Sequence, residues 1–417
     1  MRKKKKAKKV KKRVERRKKR KREEKKVIFL VIDGLADLPI NKKTPLGEAR
    51  KPNLDYFATK GEIGQIMPLK KPFWNELTRT SVSHLANLTL LGYDPKKFKI
   101  KRGPLEAVGA NIPYKEGYLA IRCNFATVDS ELTVLDRHVG RNFQGLDELA
   151  RYVNGNVKIG PKFIFMRTYG HRCALIIKEK LSDEITHSDP LKVGKKVKKV
   201  EALVPKAKKS AELVQDFIDK TRGVIEYHPV NERRISNGMV PANYIITREA
   251  GNSLKTLRSF SKRYKVRPVC IAENGVMKAT CLLAGFNAIT VPELKPSPSL
   301  DFIFNAIKDA LAEYDFIYAH IKGVDEAAHD GDFHKKREII ERIDDKLGDF
   351  RNFNGFLVVT CDHITSCKSR KHEYGAVPIL VFGKGRDDIG TFDEFVAKKG
   401  KLGLITSRKL LKYILKD

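Results

Sequence analysis

Five short runs of apolar residues, rich in Val, Ile and Phe, indicate the fold class of this chain. They are "VIFLVIDGL" near residue 27 and, from about residue 266, "RPVCIAE", "YDFIYAHI", "GFLVVT" and "VPILVFG". Each run is short for a helix and lacks the polar alternation of a strand with one wet face. Helical stretches separate them, which is typical of a parallel sheet covered on both faces. The sequence predicts an α/β fold with a mostly parallel sheet flanked by helices.

The placement of these runs at both ends of the chain predicts two folded domains. The 417 residues suffice for two hydrophobic cores. Residues 27–97 and 266–417 carry the runs and are predicted to form one domain. Residues 98–265 have a mixed α/β pattern with several Arg-bearing loops, so we expect them to form an inserted domain.

A strongly basic segment precedes the first apolar run. Residues 1–26 contain 19 Lys or Arg and 3 Glu, a net charge of +16 out of +34 for the whole chain. With almost no apolar face the segment cannot bury itself, so we expect a disordered or transiently helical arm. Such an arm can contact RNA, DNA or another anionic surface nonspecifically through phosphates. The alternative is a solubilising tail without a specific partner.

The cysteines and the hydropathy pattern bear on the compartment. Six cysteines are scattered without a CxxC pair, which suits reduced thiols better than disulfides or a zinc ribbon. No apolar run is long enough to span a membrane, and the charged N-terminus does not resemble a secretion signal. These features predict a cytoplasmic protein without a membrane span.

Polar residues that bind metals follow several of the predicted strands. Alone, each has an ordinary interpretation as a turn residue, a helix cap, a surface ion pair or a solvated histidine. In parallel sheets, however, ligands collect beyond the carboxyl ends of the strands. Three carboxylates and three imidazoles at one such edge are the ligand types of a two-metal site. The candidate ligands are Asp33, Asp325, His329, Asp362, His363 and His372.

The doublet in "LVVTCDHITS" has a specific interpretation. Successive side chains at a strand end point in opposite directions, so Asp362 and His363 are predicted to bind different ions. The four-residue spacing of Asp325 and His329 places both on one helical face, as two ligands of one ion require.

A hydroxyl nucleophile suits a two-metal site, since bound cations make an alkoxide accessible at neutral pH. The segment "TSVSHLANLTLLG" at residues 80–92 is predicted to be a helix that begins with a hydroxyl cap and ends at Gly92. Thr80, Ser81 and Ser83 lie at its start, and composition does not choose among them. An earlier helix is predicted to follow Pro52, with Asn53 as its N-cap.

Several motifs together resemble the archaeal-type cofactor-independent phosphoglycerate mutases of the alkaline phosphatase superfamily. They are "VIDGLAD", "KTPLGEARKPNLD", "SHLANLTLLGYDP", "RGPLEAVGA", "NFATVD", "HPVN" and "DEAAHDGDF". The likeness runs in matching order from about residue 27 to the C-terminus. It implies an isomerase of glycolysis and gluconeogenesis that interconverts 3-phosphoglycerate and 2-phosphoglycerate without a requirement for 2,3-bisphosphoglycerate.

The resemblance also implies roles for particular residues. A serine three residues before an "AN" pair is the phosphate-accepting nucleophile of that family, which corresponds to Ser83 and to a phosphoserine intermediate. One metal would be bound as in an Asp325, His329, His372 site. The other would be bound as in a site of Asp33, Ser83, Asp362 and His363. Two Mn²⁺ ions are expected, with Mg²⁺, Co²⁺ or Zn²⁺ as alternatives.

The substrate, a small phosphorylated three-carbon acid, calls for cationic side chains with bidentate geometry. Lys278 in "GVMKATCLLAG" matches a family lysine near the phosphoryl group. The candidates for substrate binding are Arg137, Arg141, Arg172 and Arg234.

The chain departs from the family pattern on the substrate side. It has Ser83-His84 where the family has Ser-Asp, and its segments "KKPFWNELTRT", "ITREAGN" and "VPELKPSPSL" replace the usual ones. A metal-dependent phosphomonoesterase or a phosphomutase for another small substrate is therefore the alternative enzyme. The non-enzymatic alternative is a nucleic-acid-binding protein that acts through the basic arm.

Overall fold

The computed structural model describes residues 25–71, 74, 82–97, 101–254, 257–293 and 300–415. The predicted arm therefore lies almost entirely outside the described residues, as do Thr80 and Ser81. The described chain forms two compact units, and the first unit comprises residues 1–92, 260–271 and 294–417. The second unit comprises residues 93–259 and 272–293.

The described strands and helices are numbered here in chain order. The strands are β1 (Lys26–Ile32), β2 (Glu62–Ile66), β3 (Tyr118–Val128), β4 (Val134–Asp136), β5 (Phe163–Tyr169), β6 (Arg172–Lys180), β7 (Tyr244–Gly251), β8 (Pro268–Ala272), β9 (Asn287–Thr290), β10 (Phe316–Ile321), β11 (Gly355–Thr360), β12 (Ile364–Ser366), β13 (Lys371–Glu373), β14 (Val377–Phe382) and β15 (Gly403–Ile405). The α-helices are α1 (Pro45–Glu48), α2 (Pro52–Lys60), α3 (Ser83–Leu90), α4 (Arg102–Gly109), α5 (Leu146–Asn156), α6 (Lys208–Ile225), α7 (Pro229–Ser236), α8 (Phe260–Tyr264), α9 (Val276–Leu283), α10 (Leu300–Glu313), α11 (Val324–Asp330), α12 (Phe333–Leu347) and α13 (Ser407–Leu415).

The strands of the first unit form a sheet in the order β15-β2-β14-β11-β1-β10-β8. Strand β1 is central and pairs in parallel with both β10 and β11, and β10 pairs in parallel with β8. Strand β14 runs antiparallel to β11 and to β2, while β15 is parallel to β2. All residues of β10 and β11 are buried, as expected for strands covered on both faces. The predicted α/β fold with a mostly parallel sheet is confirmed.

The parallel direction of β1, β10 and β11 brings their carboxyl ends to one edge of the sheet. Asp33 directly follows β1, Asp325 lies in the first turn of α11 after β10, and Asp362 follows β11. A separate pair of short antiparallel strands, β12 and β13, continues from this edge and carries His372 opposite Thr365.

The second unit has an antiparallel sheet in the order β4-β3-β6-β5, with β7 paired to the other side of β3. Helices α5 and α6 contribute to its core, which includes Leu149, Phe217 and Phe125. This unit contains residues 272–293, which we predicted to belong with residues 266–417. The reason is the close packing of α9 on α4, where a Cβ on Gly109 would stand 2.1 Å from the Gly275 carbonyl oxygen.

Two predicted helix caps are wrong. Helix α3 begins at Ser83 after Val82, without a side-chain cap. Its predicted end is confirmed, because Gly92 directly follows the C-cap residue Leu91 with a φ of 77°. Helix α2 is preceded by Lys51 and has Pro52 in its first turn, where the missing N–H costs nothing. Asn53 instead donates its side-chain amide to Asp344.

The hydropathy of the helices is moderate throughout. Within the described ranges, no helix combines the length and the apolar character that crossing a membrane requires.

Candidate metal centre

Asp33, Asp362 and His363 form the first of two sets of candidate ligands, all three buried. Nε2 of His363 lies 3.2 Å from Oδ1 of Asp33 and 3.5 Å from Oδ2 of Asp362. One potential ligand atom from each residue lies within 4.8 Å of the other two. We call these residues the first set.

The position of His363 overturns the prediction that Asp362 and His363 serve different ions. Strand β11 ends at Thr360, so Cys361, Asp362 and His363 lie in a bend and the alternation of a strand does not apply. The bend turns both side chains toward Asp33.

Asp325, His329 and His372 form the second set, which is half-buried. In α11, the i, i+4 spacing places His329 Nε2 3.4 Å from Asp325 Oδ2. His372 Nε2 lies 3.4 Å from Asp325 Oδ1 and 3.0 Å from His329 Nε2. His329 Nδ1 is 2.9 Å from the carbonyl oxygen of Arg370. A carbonyl only accepts, so Nδ1 carries the proton and Nε2 faces the second set.

Buried charge concentrates in the first set. Burial raises the pKa of Asp33, and the nearby Asp362 and Asp325 raise it further. Burial alone would keep His363 neutral, but Asp362 and Asp33 raise its pKa to about 10. The cause is Coulombic attraction in a poorly hydrated space, which a divalent cation would satisfy in place of the proton.

Unsatisfied carboxylate oxygens show that the first set fits a cation. Oδ1 of Asp362 is buried and accepts no hydrogen bond from the part of the chain that the structure describes, and the buried Oδ1 of Asp33 lies 3.2 Å from His363 Nε2 without a hydrogen bond of good geometry. Buried acceptors without donors are costly in a folded protein unless they bind an ion or water. Carboxylate oxygens and imidazole nitrogens also suit Mn²⁺ and Zn²⁺.

The hydroxyl of Ser83 lies beside the first set. Ser83 opens α3, is half-buried, and places its Oγ 3.1 Å from His363 Nε2. The side-chain amide of Asn87, one turn later, donates to the Ser83 carbonyl and to Oδ2 of Asp362, at 2.8 and 2.9 Å. Tyr318 in β10 donates its hydroxyl to the Asn87 side-chain oxygen. These bonds tie the start of α3 to the first set.

The candidate substrate residues lie in the second unit. Arg137 makes a bidentate ion pair with Asp189, at 3.0 and 2.6 Å, and Arg141 is exposed. Arg172 is half-buried, with its guanidinium 5.8 Å from the ring centre of Tyr169. Lys278 is buried in α9, with its Nζ 3.2 Å from the side-chain oxygen of Asn274.

The position of Arg234 contradicts the predicted role in substrate binding. Arg234 is 1% exposed, and its guanidinium donates to four backbone carbonyl oxygens. The acceptors are the carbonyls of Val139, Asn142, Gln144 and Val240. Arg234 therefore holds together the chain segments around it, which is a structural role.

A buried arginine, Arg122, and a half-buried one, Arg248, which the sequence analysis missed, face each other in the second unit. Arg122 in β3 and Arg248 in β7 are direct cross-strand partners, so their side chains leave the same face of the sheet. The carboxylate oxygens of Glu106 and Glu249 lie 3.9 and 3.7 Å from guanidinium nitrogens of Arg122, which is too far for short hydrogen bonds. Burial lowers the pKa of Arg122, and Arg102 and Arg248 lower it further. The sequence signal for this arginine pair was an Arg inside the mostly apolar strand "YLAIRCNFATV".

Comparisons with known proteins agree with the implied resemblance. The profile of the 2,3-bisphosphoglycerate-independent phosphoglycerate mutases matches residues 58–231. A mutase of that name from Methanosphaera stadtmanae is 37% identical over 404 residues, which cover 94% of this chain and 97% of the relative. Its counterpart from Archaeoglobus fulgidus is 38% identical over 401 residues, or 92% and 96% of the two chains. The chain belongs to this phosphoglycerate mutase family.

Solved structures agree with membership of the mutase family. A cofactor-independent phosphoglycerate mutase from Thermoplasma acidophilum is similar with a TM-score of 0.60 and 29% identity. The similarity covers 94% of this chain and 99% of that chain. A protein from Pyrococcus horikoshii has a TM-score of 0.74 and 27% identity, over 94% and 96% of the two chains.

The departures from the mutase family pattern have different structural settings. His84, next to Ser83, is buried within α3, while the segment before Ser83 lies mostly outside the described residues. "ITREAGN" belongs largely to β7 and includes Arg248, and most of "VPELKPSPSL" is again outside the described ranges.

Two polar residues near the first set were also missed from the sequence. Asn87 lies inside a mostly apolar helix, and His320 lies inside the apolar strand "FIYAHI". His320 Nε2 is 3.8 Å from Asp33 Oδ2 and 4.0 Å from Asp362 Oδ2. A polar side chain at a buried position was in each case the available signal.

Proposed function

We propose that this member of the mutase family interconverts 3-phosphoglycerate and 2-phosphoglycerate through a phosphoserine on Ser83. The observation that carries the proposal is the position of the Ser83 hydroxyl, 3.1 Å from His363 Nε2 and beside two buried carboxylates. The 37–38% identity to phosphoglycerate mutases over more than 90% of the chain supports the substrate.

We assign one divalent ion to each set, preferably Mn²⁺, with Mg²⁺, Co²⁺ or Zn²⁺ as alternatives. Asp33, Asp362 and His363 hold one ion together with Ser83, and the second set holds the other. Bound ions would lower the pKa of the Ser83 hydroxyl and offset negative charge on the transferred phosphoryl group. The buried Oδ1 atoms of Asp33 and Asp362, which accept no hydrogen bond of good geometry from the described residues, support this assignment.

Phosphoryl transfer on this chain takes two displacements at phosphorus. Ser83 Oγ attacks the phosphorus of 3-phosphoglycerate, the bond from phosphorus to the substrate oxygen breaks, and that oxygen leaves as the 3-hydroxyl of glycerate with one proton. The 2-hydroxyl of the same glycerate then attacks the phosphoserine, and its proton returns to Ser83. Each displacement exchanges one P–O bond for another, so no free phosphate forms.

The arginines of the second unit are assigned to the anionic substrate. Arg122 and Arg248 present like charges on one face, which three carboxylates offset in part at 3.7–3.9 Å. A substrate carboxylate or phosphate would offset the remaining positive charge. Arg137 and Arg172 are further donors, whereas Arg234 is already committed to backbone carbonyls. Water must be excluded while the phosphoserine exists, or the enzyme becomes a phosphatase.

The test is a turnover assay of the full chain loaded with Mn²⁺. Phosphorus NMR should show 3-phosphoglycerate converting to 2-phosphoglycerate without 2,3-bisphosphoglycerate and without appreciable free phosphate. Ser83→Ala should lower turnover by at least about 10⁴-fold, because the covalent route is lost. Ser236→Ala is the matched control, since that exposed hydroxyl donates only to the Arg233 carbonyl.

Two outcomes would contradict the proposal. Dominant release of inorganic phosphate would point to the phosphomonoesterase alternative. Turnover by Ser83→Ala at the wild-type rate would remove Ser83 from the chemistry. Acid quenching with labelled 3-phosphoglycerate adds a direct readout, because label should stay on the wild-type chain and not on Ser83→Ala.

The cysteines support action in a reducing compartment such as the cytoplasm. All six are buried, and none forms a disulfide with another described residue.

A further inference from the structure

The hydroxyl of Thr365 is shared between the two sets of candidate ligands. Thr365 is fully buried in β12. Its Oγ1 lies 2.7 Å from Oδ1 of Asp325, in the second set. The same atom lies 3.0 Å from Nδ1 of His363, in the first set. One side chain that is not itself a candidate ligand thus touches a member of each set.

The direction of the two hydrogen bonds follows from the number of protons. An ionised carboxylate only accepts, so the single hydroxyl proton of Thr365 is donated to Asp325. The hydroxyl oxygen can then only accept from His363, which must carry a proton on Nδ1. The other ring nitrogen, Nε2, is the one that faces Asp33, Asp362 and Ser83.

The surroundings leave Thr365 little freedom to move. Its backbone N–H donates to the Ala36 carbonyl at 3.1 Å, and its own carbonyl accepts from Lys336 Nζ at 2.8 Å. Gly34 has a φ of 66°, and a Cβ there would stand 2.8 Å from Thr365 Oγ1. The glycine after Asp33 therefore makes room for the hydroxyl.

We propose that Thr365 is a positioning residue that couples the two metal sites by orienting His363 and Asp325 through one hydroxyl. The proposal rests on the proposed function, because it takes both sets to be metal sites. The hydroxyl keeps the His363 proton on Nδ1 and presents Nε2 to the first ion. It also fixes the Asp325 carboxylate for the second ion. Partners of this kind commonly change metal affinity by about 10–100-fold when they are lost.

The test compares Mn²⁺ binding by the full chain and three variants in titration calorimetry. Thr365→Val removes the hydroxyl and keeps the shape, and Thr365→Ser keeps the hydroxyl. We expect Thr365→Val to weaken binding of both ions by about 10–100-fold. Thr365→Ser should stay within a few-fold of the wild type. Thr365→Ala is a second variant without the hydroxyl in case the valine variant does not fold.

Thr360→Val is the control for a merely structural effect. Thr360 is equally buried and donates its hydroxyl to the Pro378 carbonyl at 2.9 Å, so its loss should lower stability without weakening Mn²⁺ binding. If Thr365→Val or Thr365→Ala binds two ions with wild-type affinity, the proposed role of Thr365 is wrong, while the proposed function still stands. A wild-type chain that binds no Mn²⁺ would overturn both the coupling and the proposed function.

Discussion

His363 is the residue whose protonation competes most directly with a metal ion. Its Nε2 faces two carboxylates, which raise its pKa to about 10 against the effect of burial. In the metal-free protein this nitrogen therefore carries a proton at neutral pH, and an ion bound there must displace it.

Metal affinity should consequently rise with pH. Release of one proton per ion predicts that the apparent affinity of the first set for Mn²⁺ increases about tenfold per pH unit between pH 6.5 and 8. The sign follows from the raised pKa, since the proton is still bound throughout this range. Calorimetry in buffers of different ionisation enthalpy measures the released proton. His363→Gln should bind more weakly and release no proton from this position, and an unchanged proton count would refute the argument.

Arg234 is a residue whose chemical type suggests substrate binding but whose contacts indicate a role in the stability of the fold. Arg234→Met removes the guanidinium bonds to four buried or partly buried carbonyls and should lower the free energy of unfolding by about 3 kcal/mol. Arg233→Met is the neighbouring control, because Arg233 only pairs with Glu148 at the surface and should matter by less than about 1 kcal/mol. Denaturant unfolding compares them, and equal stabilities would contradict the structural role.

At the scale of elements, helix α3 is bound to two strand regions through a single amide. Asn87 accepts the hydroxyl of Tyr318 in β10 and donates to Asp362 after β11 and to the Ser83 carbonyl. The start of the helix is thereby held in register with the first set.

Loss of this amide should affect both stability and catalysis. Asn87→Ala is expected to lower the free energy of unfolding by about 2–3 kcal/mol. We expect it to lower kcat by about 10–100-fold, because Ser83 and Asp362 lose a common partner. Tyr318→Phe removes one donor and should have a smaller effect on both. Asn154→Ala serves as a control for stability alone, because it loses side-chain bonds to the Ala150 carbonyl and to the Phe165 backbone in the second unit. Wild-type kcat in Asn87→Ala would refute the positioning role.

Sequence alone was sufficient for the elements with strong local signals. The apolar runs correctly predicted β1, β8, β10, β11 and β14, because strands that are buried on both faces require nearly continuous apolar sequence. Strand β14 shares this pattern although it pairs antiparallel with both of its neighbours. Helical geometry likewise predicted that Asp325 and His329, four residues apart in α11, lie on one face.

Other features depended on contacts that a local pattern does not contain. The chain bends after β11, so consecutive side chains no longer point to opposite faces. The common orientation of Asp362 and His363 was therefore not predictable from their positions in the sequence. Arg122 and Arg248 meet only through the register of β3 and β7, which are far apart in sequence. The contacts of Arg234 likewise come from loops that fold back on α7.

For the whole molecule, the basic arm should be separable from catalysis. Residues 1–24, the part of the 1–26 arm that precedes the described chain, contain 17 Lys or Arg and three Glu and lie outside the motifs shared with the family. Their deletion should leave kcat and KM for 3-phosphoglycerate unchanged. The full chain should retain RNA in a salt-sensitive manner that the truncated chain lacks, since phosphate contacts depend on counterion release.

Turnover and RNA retention across a salt series for both chains distinguish the outcomes. Equal RNA retention by the two chains would show that residues outside the arm bind the RNA. Loss of turnover on deletion would show that the arm takes part in the folded enzyme.

The order of strands in the first unit has a consequence for biosynthesis. Strand β1 is made first, yet its neighbours on both sides are β10 and β11, from residues 316–321 and 355–360. At about 5–20 residues per second, a ribosome takes roughly 15–60 s to reach β10 after completing β1. Throughout that interval the nascent chain carries an apolar strand with two unpaired edges, directly behind its most highly charged segment. Like-charge repulsion between neighbouring nascent chains would then protect the strand from premature pairing until translation delivers its partners.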